Sequence, residues 1–513
     1  MDGVAQTNEE PAASVGYRKR AVSGAIVTAA AAGSRAVLHV LAIVVLARLL
    51  TPDDFGVMGM VFPIITFATI FQEAGLSLAT LQRERISDAE LSTVFWINAA
   101  IGLGLCLILV AAAPFVAAFY EEPRVALPTA ASGLLILFGA LTAQHGIVLN
   151  RRMHFGQLAL VDGLSLLLGT VLAIGAAWLY HTYWAIYLLS FGQAFGGFVL
   201  SWLFSGWRPG KGAPVRQVAD VLRFGAHFTV GSVATFFGRN LDKVLLGRFW
   251  GTTALGFYDR ASKVVLMPIL FVHTPLLRLI VPMLSQNRGD PARYRRMFIL
   301  AFQFSLLLTV PGITLLVGAA RDVVSLVMGS QWIGGAAIFA WLAVACLGQL
   351  ATGPLTMLFV SQDRAREAMV SSVATSIYSS IAFAIGLPWG AVGVAMAYAI
   401  SELIRTPVML WYAARAGPVR FGDLSRVLVP FLVGTPLCLA VVMLLVRQLD
   451  HAIGSFAFVA VAGFAAYAVV LPCLLLNRAG RECLAEIVTI ARSFTRRPGP
   501  ARQGEKPDPN SHV

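Results

Sequence analysis

The sequence predicts an all-α polytopic membrane protein with about fourteen transmembrane helices, set out as two parallel six-helix lobes followed by two C-terminal helices. Three observations carry the prediction. The 513 residues are 58% hydrophobic and only 13% charged, with a mean hydropathy of +0.75; a soluble globule of this size needs more polar surface than that. Basic residues gather in alternate loops between apolar runs. A pattern at the end of the first run returns 200 residues later.

A window of about 20 residues, the length that crosses the hydrocarbon core, gives spans over 22–47, 57–80, 91–117, 126–149, 157–180, 183–204 and 224–247. The second seven run over 261–286, 297–318, 334–360, 368–387, 391–414, 427–446 and 453–476. These divide the chain into an N-terminal tail (1–21), a first lobe (22–204), an inter-lobe linker (205–223), a second lobe (224–414), the last two spans (427–476) and a basic tail (477–513).

The 39 Lys and Arg residues test this division, because a missed span would scramble their alternation. One side, with both tails, collects 27 of them; the other has only Arg48, Arg124, Arg248, Arg260, Arg321 and Arg447. The positive-inside rule then places both termini in the cytoplasm of a plasma (inner) membrane protein. The net charge of +13 is thereby absorbed by topology and anionic lipid, and no nucleic-acid partner is expected. No cleavable signal is expected, since the first apolar run is too long for one. The five cysteines form no CxxC pair, so neither a disulfide nor a metal site is expected.

Val44-Val45-Leu46-Ala47-Arg48 recurs as Val244-Leu245-Leu246-Gly247-Arg248, and Gly56 falls opposite Gly256. Six spans separate the copies, an even number, so the halves share one orientation. Parallel repeats of this kind place a transporter's substrate at the repeat interface.

Six cations lie inside the spans: Arg35, Arg239, Lys243, Lys263, Arg278 and Arg405. Each costs about 2.5–3.5 kcal/mol at the bilayer centre, so each needs a partner or a hydrated cavity. Arg35 and His39 share a face of the first span, as Arg239 and Lys243 do on the seventh; position 39 aligns with 239, and the two stripes are suited to line one central cleft. Arg278 is deep in the eighth span, and Lys263 is near enough its outer end to snorkel. Four acids, Glu73, Asp162, Asp242 and Glu402, offset part of this charge. Glu402 is placed to neutralise Arg405, Asp242 to screen Arg239 or Lys243, and Glu73 to meet Arg35. An excess of cations favours an anion, which guanidinium binds in bidentate fashion and Lys as a point charge. Arg35, Arg239, Lys243, Arg278 and Lys263 are therefore the candidate substrate-binding residues; His39, Glu73, Asp162 and Asp242 are candidates for proton or ion coupling.

No nucleotide-binding Gly-rich loop, HExxH or GxSxG motif occurs, and the outer loops reach no more than about fifteen residues. A secondary transporter without catalytic residues or cofactors is expected, not an enzyme. A multidrug or toxin extrusion antiporter is one alternative, disfavoured by the positive span charge; a glycan polymerase or ligase is another, disfavoured by the short loops.

The stretch Leu46-Ala-Arg-Leu-Leu-Thr-Pro-Asp-Asp-Phe-Gly56, with Gln72-Glu-Ala-Gly-Leu-Ser77 and Leu91-Ser-Thr-Val-Phe-Trp-Ile-Asn98, resembles the Wzx-type polysaccharide flippases of the multidrug/oligosaccharidyl-lipid/polysaccharide exporter superfamily. So does Gly238-Arg-Asn-Leu-Asp-Lys-Val-Leu-Leu-Gly-Arg-Phe249 with Ala254-Leu-Gly-Phe-Tyr258. The resemblance implies outward movement of undecaprenyl-diphosphate-linked oligosaccharide repeat units for O-antigen, capsule or exopolysaccharide assembly, with polysaccharide polymerase and chain-length regulator proteins as partners. It also implies basic residues in the first, second and eighth helices, as in related lipid II flippases. Arg35, Lys263 and Arg278 match by location, whereas the second span carries Glu73 and no cation.

Overall fold

The computed structural model describes residues 33–73, 76, 80–81, 83, 86–449, 455–476, 480–482 and 484–485. The expected N-terminal tail, the start of the first span and nearly all of the basic tail lie outside the described residues. Among those described, every regular element is a helix.

The first helix, α1, covers residues 33–49. It is followed by α2 (Pro52–Glu73), α3 (Asp88–Tyr120), α4 (Ala126–Arg151), α5 (Phe155–Tyr180) and α6 (Trp184–Ser205). A single helical stretch, Ala219–Gln286, is broken at Gly251 (φ 77°, ψ −173°), a backbone conformation open only to glycine. Its two parts are α7 (219–250) and α8 (252–286). Then come α9 (Pro291–Gly318), α10 (Ala320–Met328), α11 (Ala336–Thr352), α12 (Leu355–Ser361), α13 (Ala365–Gly386), α14 (Gly390–Ala414), α15 (Phe421–Leu449) and α16 (Ser455–Cys473).

Eleven stretches are long and apolar enough to cross a membrane. Two of them, of 52 and 50 residues, exceed one crossing by far, and each contains a break: Gly251 in the first and Gly390, at φ 73°, in the second. Each therefore supplies two crossings. With α1, described over too few residues to qualify by itself, the architecture is compatible with the expected fourteen.

Local sequence explains the helix ends. Thr51 caps α2: its Oγ1 accepts from the Asp54 N–H at 3.3 Å and the Asp54 carboxylate accepts from the Thr51 N–H at 3.0 Å, with Pro52 at the first helical position. This reciprocal arrangement satisfies donors that a helix start otherwise leaves open. Ser87 and Glu90 build the same box on α3. At the opposite ends, arginines take up the carbonyls a helix leaves unpaired. Arg152 donates to the Ser205 carbonyl at 2.9 Å, Arg208 to that of Trp202 at 2.6 Å, and Arg364 to that of Ala413 at 3.0 Å. These three belong to the side assigned to the cytoplasm, so part of the positive-inside bias is also structural stapling.

The molecule forms two compact units. One comprises the described part of Met1–Leu266 with Ala320–Ala345 and Met369–Leu403; the other comprises Met267–Ala319, Cys346–Ala368 and the described part of Ile404–Val513. The boundary thus runs through helices of the second sequence half.

Inside the first unit the repeat has a physical counterpart. A Cβ on Gly56 would lie 1.8 Å from the Thr252 carbonyl oxygen, and a Cβ on Gly256 would lie 1.8 Å from the Pro52 carbonyl oxygen. Pro52 and Thr252, like Gly56 and Gly256, are 200 residues apart, so α2 and α8 cross reciprocally through matched positions. Only glycine lets the backbones come this close. The breaks match too: Thr51 ends the bend before α2, and Gly251 stands at the same register before α8.

Candidate functional site

Three cations and one carboxylate meet where α8 leaves this crossing. Asp259 and Lys263 are one turn apart on α8, hence on one face; Lys263 Nζ donates to Asp259 Oδ2 at 2.8 Å. Lys243, from α7, brings Nζ to 3.5 Å from Asp259 Oδ1. Arg260 holds Nη2 at 3.7 Å from Asp259 Oδ2, an ion pair too long for a hydrogen bond. Asp259 is 1% and Arg260 5% exposed. Next to them the buried Asp242 carboxylate accepts hydrogen bonds from the Tyr258 hydroxyl and from the Lys243 backbone N–H.

Helix α2 supplies the aromatic wall. The Arg260 guanidinium lies 3.9 Å from the centroid of the Phe55 ring, and Lys263 Nζ lies 4.7 Å from that of Phe62. Ring quadrupoles stabilise cations placed over their faces, but they accept no classical hydrogen bond. Arg260 Nε is buried with no hydrogen-bond partner among the described residues. Even if Asp242 is counted as an anion, three cations face two carboxylates, and the Arg260 Nε donor is unfilled. A group with several anionic oxygens is the chemical complement of this arrangement.

From α1, His39 feels the charges of Arg260, Lys263 and Arg35. Arg35 itself bonds Asp162 of α5 at 2.5 Å, and both side chains are about half exposed. Glu73, suggested by the sequence as the partner of Arg35, closes α2, and its side chain lies outside those described.

Of the residues singled out from sequence, the structure thus brings Lys243, Lys263 and Asp242 together, with His39 in electrostatic reach of Lys263 and Arg35 paired with Asp162. Arg239 is exposed, one turn before Lys243 on α7. Arg278 is exposed and belongs to the other unit. Lys263, expected to snorkel, is instead held by Asp259 and Phe62. The centre of the cluster, Asp259 and Arg260, escaped the sequence reading because it began the eighth span at residue 261 and left Arg260 in a loop. The signal was present. The second span begins at 57, and the 200-residue register transfers that start to 257, which carries both residues into the helix.

The sequence profile of the polysaccharide biosynthesis protein family matches residues 45–337, more than half of the chain and all of α2, α7 and α8 as far as the cluster extends. The chain belongs to the polysaccharide biosynthesis protein family. Among relatives, teichuronic acid biosynthesis protein TuaB of Bacillus subtilis (strain 168) is 23% identical over 77% of this chain and 83% of that protein. Lipopolysaccharide biosynthesis protein WzxC of Escherichia coli (strain K12) is 24% identical over 78% of this chain and 82% of that protein. Succinoglycan biosynthesis transport protein ExoT of Rhizobium meliloti (strain 1021) is 26% identical over 61% of this chain and 62% of that protein. In three dimensions this family member is similar to lipid II flippase MurJ in its inward closed conformation, with a TM-score of 0.69 at 16% identity over 92% of this chain and 100% of that one. An inward-facing MATE family transporter of the MOP superfamily gives a TM-score of 0.52 at 14% identity over 76% of this chain and 96% of that one. The exporter-type fold expected from the resemblance is therefore the fold observed, and the protein is a multi-pass membrane protein.

Proposed function

We propose that the protein is a flippase for a polyprenyl (undecaprenyl) diphosphate-linked oligosaccharide, moving it from the cytoplasmic to the outer leaflet for polysaccharide assembly. The observation that carries the reading is Arg260: a buried guanidinium with an unpartnered Nε, held over Phe55, beside two lysines that share one carboxylate. The diphosphate supplies the missing acceptors and the missing negative charge, which would be prohibitive to carry bare through hydrocarbon. Family membership supports a polysaccharide-related substrate, because these relatives are named for polysaccharide biosynthesis and transport.

In this reading Lys243, Lys263 and Arg260 take the diphosphate, and Arg35 and Arg239 extend the cationic stripe; Arg278, in the other unit, remains a candidate by its sequence position. The prenyl tail stays in the bilayer while the headgroup crosses. Alternating access requires the repeat halves to separate at one end. The α2–α8 crossing, with Arg48 donating to the Leu326 carbonyl at 2.5 Å and Arg248 paired with Glu121 at 2.8 Å, supports the outer end as the joined one in this structure. His39, Glu73, Asp162 and Asp242 are the groups available for proton or ion coupling, and polymerase and chain-length regulator proteins are the partners that would consume the product.

Reconstitution in liposomes with a fluorescent prenyl-diphosphate oligosaccharide tests the proposal. Transbilayer movement is expected with the wild type and is expected to be lost in Arg260→Gln vesicles holding equal amounts of inserted protein. Equal movement by wild type, variant and protein-free vesicles would remove it. Resistance to cationic drugs conferred by the wild type, without lipid movement, would favour the antiporter alternative.

A further inference from the structure

Asp259 is the one carboxylate that Lys243, Arg260 and Lys263 all approach, and its own contacts are incomplete. Oδ2 takes a hydrogen bond from Lys263 at 2.8 Å, with Arg260 farther off at 3.7 Å. Oδ1 is buried, takes no hydrogen bond, and has Lys243 Nζ at 3.5 Å. A carboxylate presents two oxygens with about four acceptor positions, whereas two ammonium groups and a guanidinium present about eleven donors. Asp259 therefore keeps three mutually repelling cations assembled around one buried carboxylate without saturating them.

Among the described residues Asp259 is the carboxylate that all three cations share, while Asp242 adds its charge to Lys243. Asp242 is engaged by Tyr258 and the Lys243 backbone. On α2 the cations meet rings, Phe55 and Phe62, and from α1 the facing group is His39, which adds no negative charge. Asp162 of α5 is bonded to Arg35.

We infer that Asp259 is a resident anion that exchanges with the substrate's phosphate: between turnovers it holds Lys263 and Lys243, and on binding it yields both to the diphosphate, reclaiming them on release. This rests on the diphosphate reading above. It gives Asp259 a job distinct from that reading, because a competing internal anion weakens binding while allowing departure. Without it, the substrate would be bound too well to leave.

The experiment uses the full-length protein in lipid nanodiscs, with inorganic pyrophosphate and undecaprenyl diphosphate as probes in titration calorimetry. Asp259→Asn is expected to bind both probes more tightly, by about tenfold or more for removal of one adjacent anion, while its transport in vesicles slows. Asp259→Asn/Lys263→Gln, which restores the charge balance, is expected to return towards wild-type affinity. Weaker or unchanged binding in a folded Asp259→Asn protein would overturn the inference and leave the flippase reading intact. Absence of binding in wild type and variant alike would overturn both. Because the variant is at risk of misfolding, the wild type provides a second test. With 13C-labelled aspartate, pyrophosphate addition is expected to shift a carboxylate infrared band as Lys263 departs. Probe binding with no such shift would equally overturn the inference.

Discussion

Replacing Gly56 or Gly256 by alanine puts the α2–α8 crossing to a direct test. In each variant the new methyl would start 1.8 Å from a carbonyl oxygen of the facing helix, whereas ordinary contact begins at 3.4 Å. The two backbones would have to part by about 1.6 Å, and the obstacle is main chain, which has no alternative rotamer to adopt. Overpacking of this sort costs about 1–3 kcal/mol. Both methyls push on the same crossing, so the first opens space that the second uses, and Gly56→Ala/Gly256→Ala should cost less than the two single changes summed. Gly175, in α5, serves as the control, because a methyl added there would meet nothing within 4 Å; alanine at this position should be neutral or stabilising by up to about 1 kcal/mol from helix propensity. Thermal unfolding of the purified proteins in one detergent reads the differences. If both crossing variants unfold within about 0.5 kcal/mol of wild type, the reciprocal contact does not hold the repeat halves together.

Other outcomes follow from single groups. Asp53 accepts from Arg124 at 2.6 Å and also from the Thr252 hydroxyl; Asp53→Ala should cost about 1 kcal/mol, the value of a charged hydrogen bond discounted for its partial exposure, read by the same unfolding assay. Arg83 ties the loop before α3 to the start of α7 by pairing with Asp220, and this pairing holds the Asp220 carboxyl below its ordinary range. A depressed carboxyl contributes stability that is present above its unfolded-state pKa and lost as pH falls through the folded one. Hydrogen exchange around residues 83–90 and 217–222 should therefore quicken only in acid, below about pH 4, and Asp220→Asn should exchange quickly at every pH. Arg239→Glu and Arg278→Glu should abolish export while leaving insertion intact, measured by surface polysaccharide in complemented cells; normal export in both would restrict the cationic stripe to Lys243, Arg260 and Lys263.

Much of the architecture was legible because lipid imposes a simple rule: apolar runs of fixed length, with the positive loops on one side. The α7–α8 break shows where that rule fails. Hydropathy ends span seven at 247 and begins span eight at 261, so Gly251 falls inside the expected loop, but it does not show that the helix resumes at 252, directly after this one positive-φ glycine. The eighth span is thus expected to begin nine residues after the start of α8, since Asp259 and Arg260 look like loop residues until their partners are known. Arg35 meeting Asp162 across α1 and α5 was equally inaccessible, because helix-to-helix pairing in a bundle depends on rotations that no single helix encodes. Relations within one turn, such as the Asp259–Lys263 spacing and the Thr51–Asp54 cap, need no such rotation and depend on local sequence alone.

The crossing and the cation cluster are parts of one mechanical element. Phe55, which carries the Arg260 guanidinium, precedes Gly56, the residue that lets α2 touch α8. Phe62, which carries Lys263, lies two turns further along the same helix. On α8, Gly256 and Lys263 are separated by about 10 Å of rigid helix at 1.5 Å per residue. Any motion that parts the repeat halves at the glycines must then also slide Arg260 and Lys263 off their rings, while Lys243 stays on α7 beyond the Gly251 break. The three cations would cease to converge on Asp259 in the same step. In the proposed transport cycle, opening the outer end would thus loosen the phosphate site, and Asp259 would reclaim the lysines as the crossing re-forms.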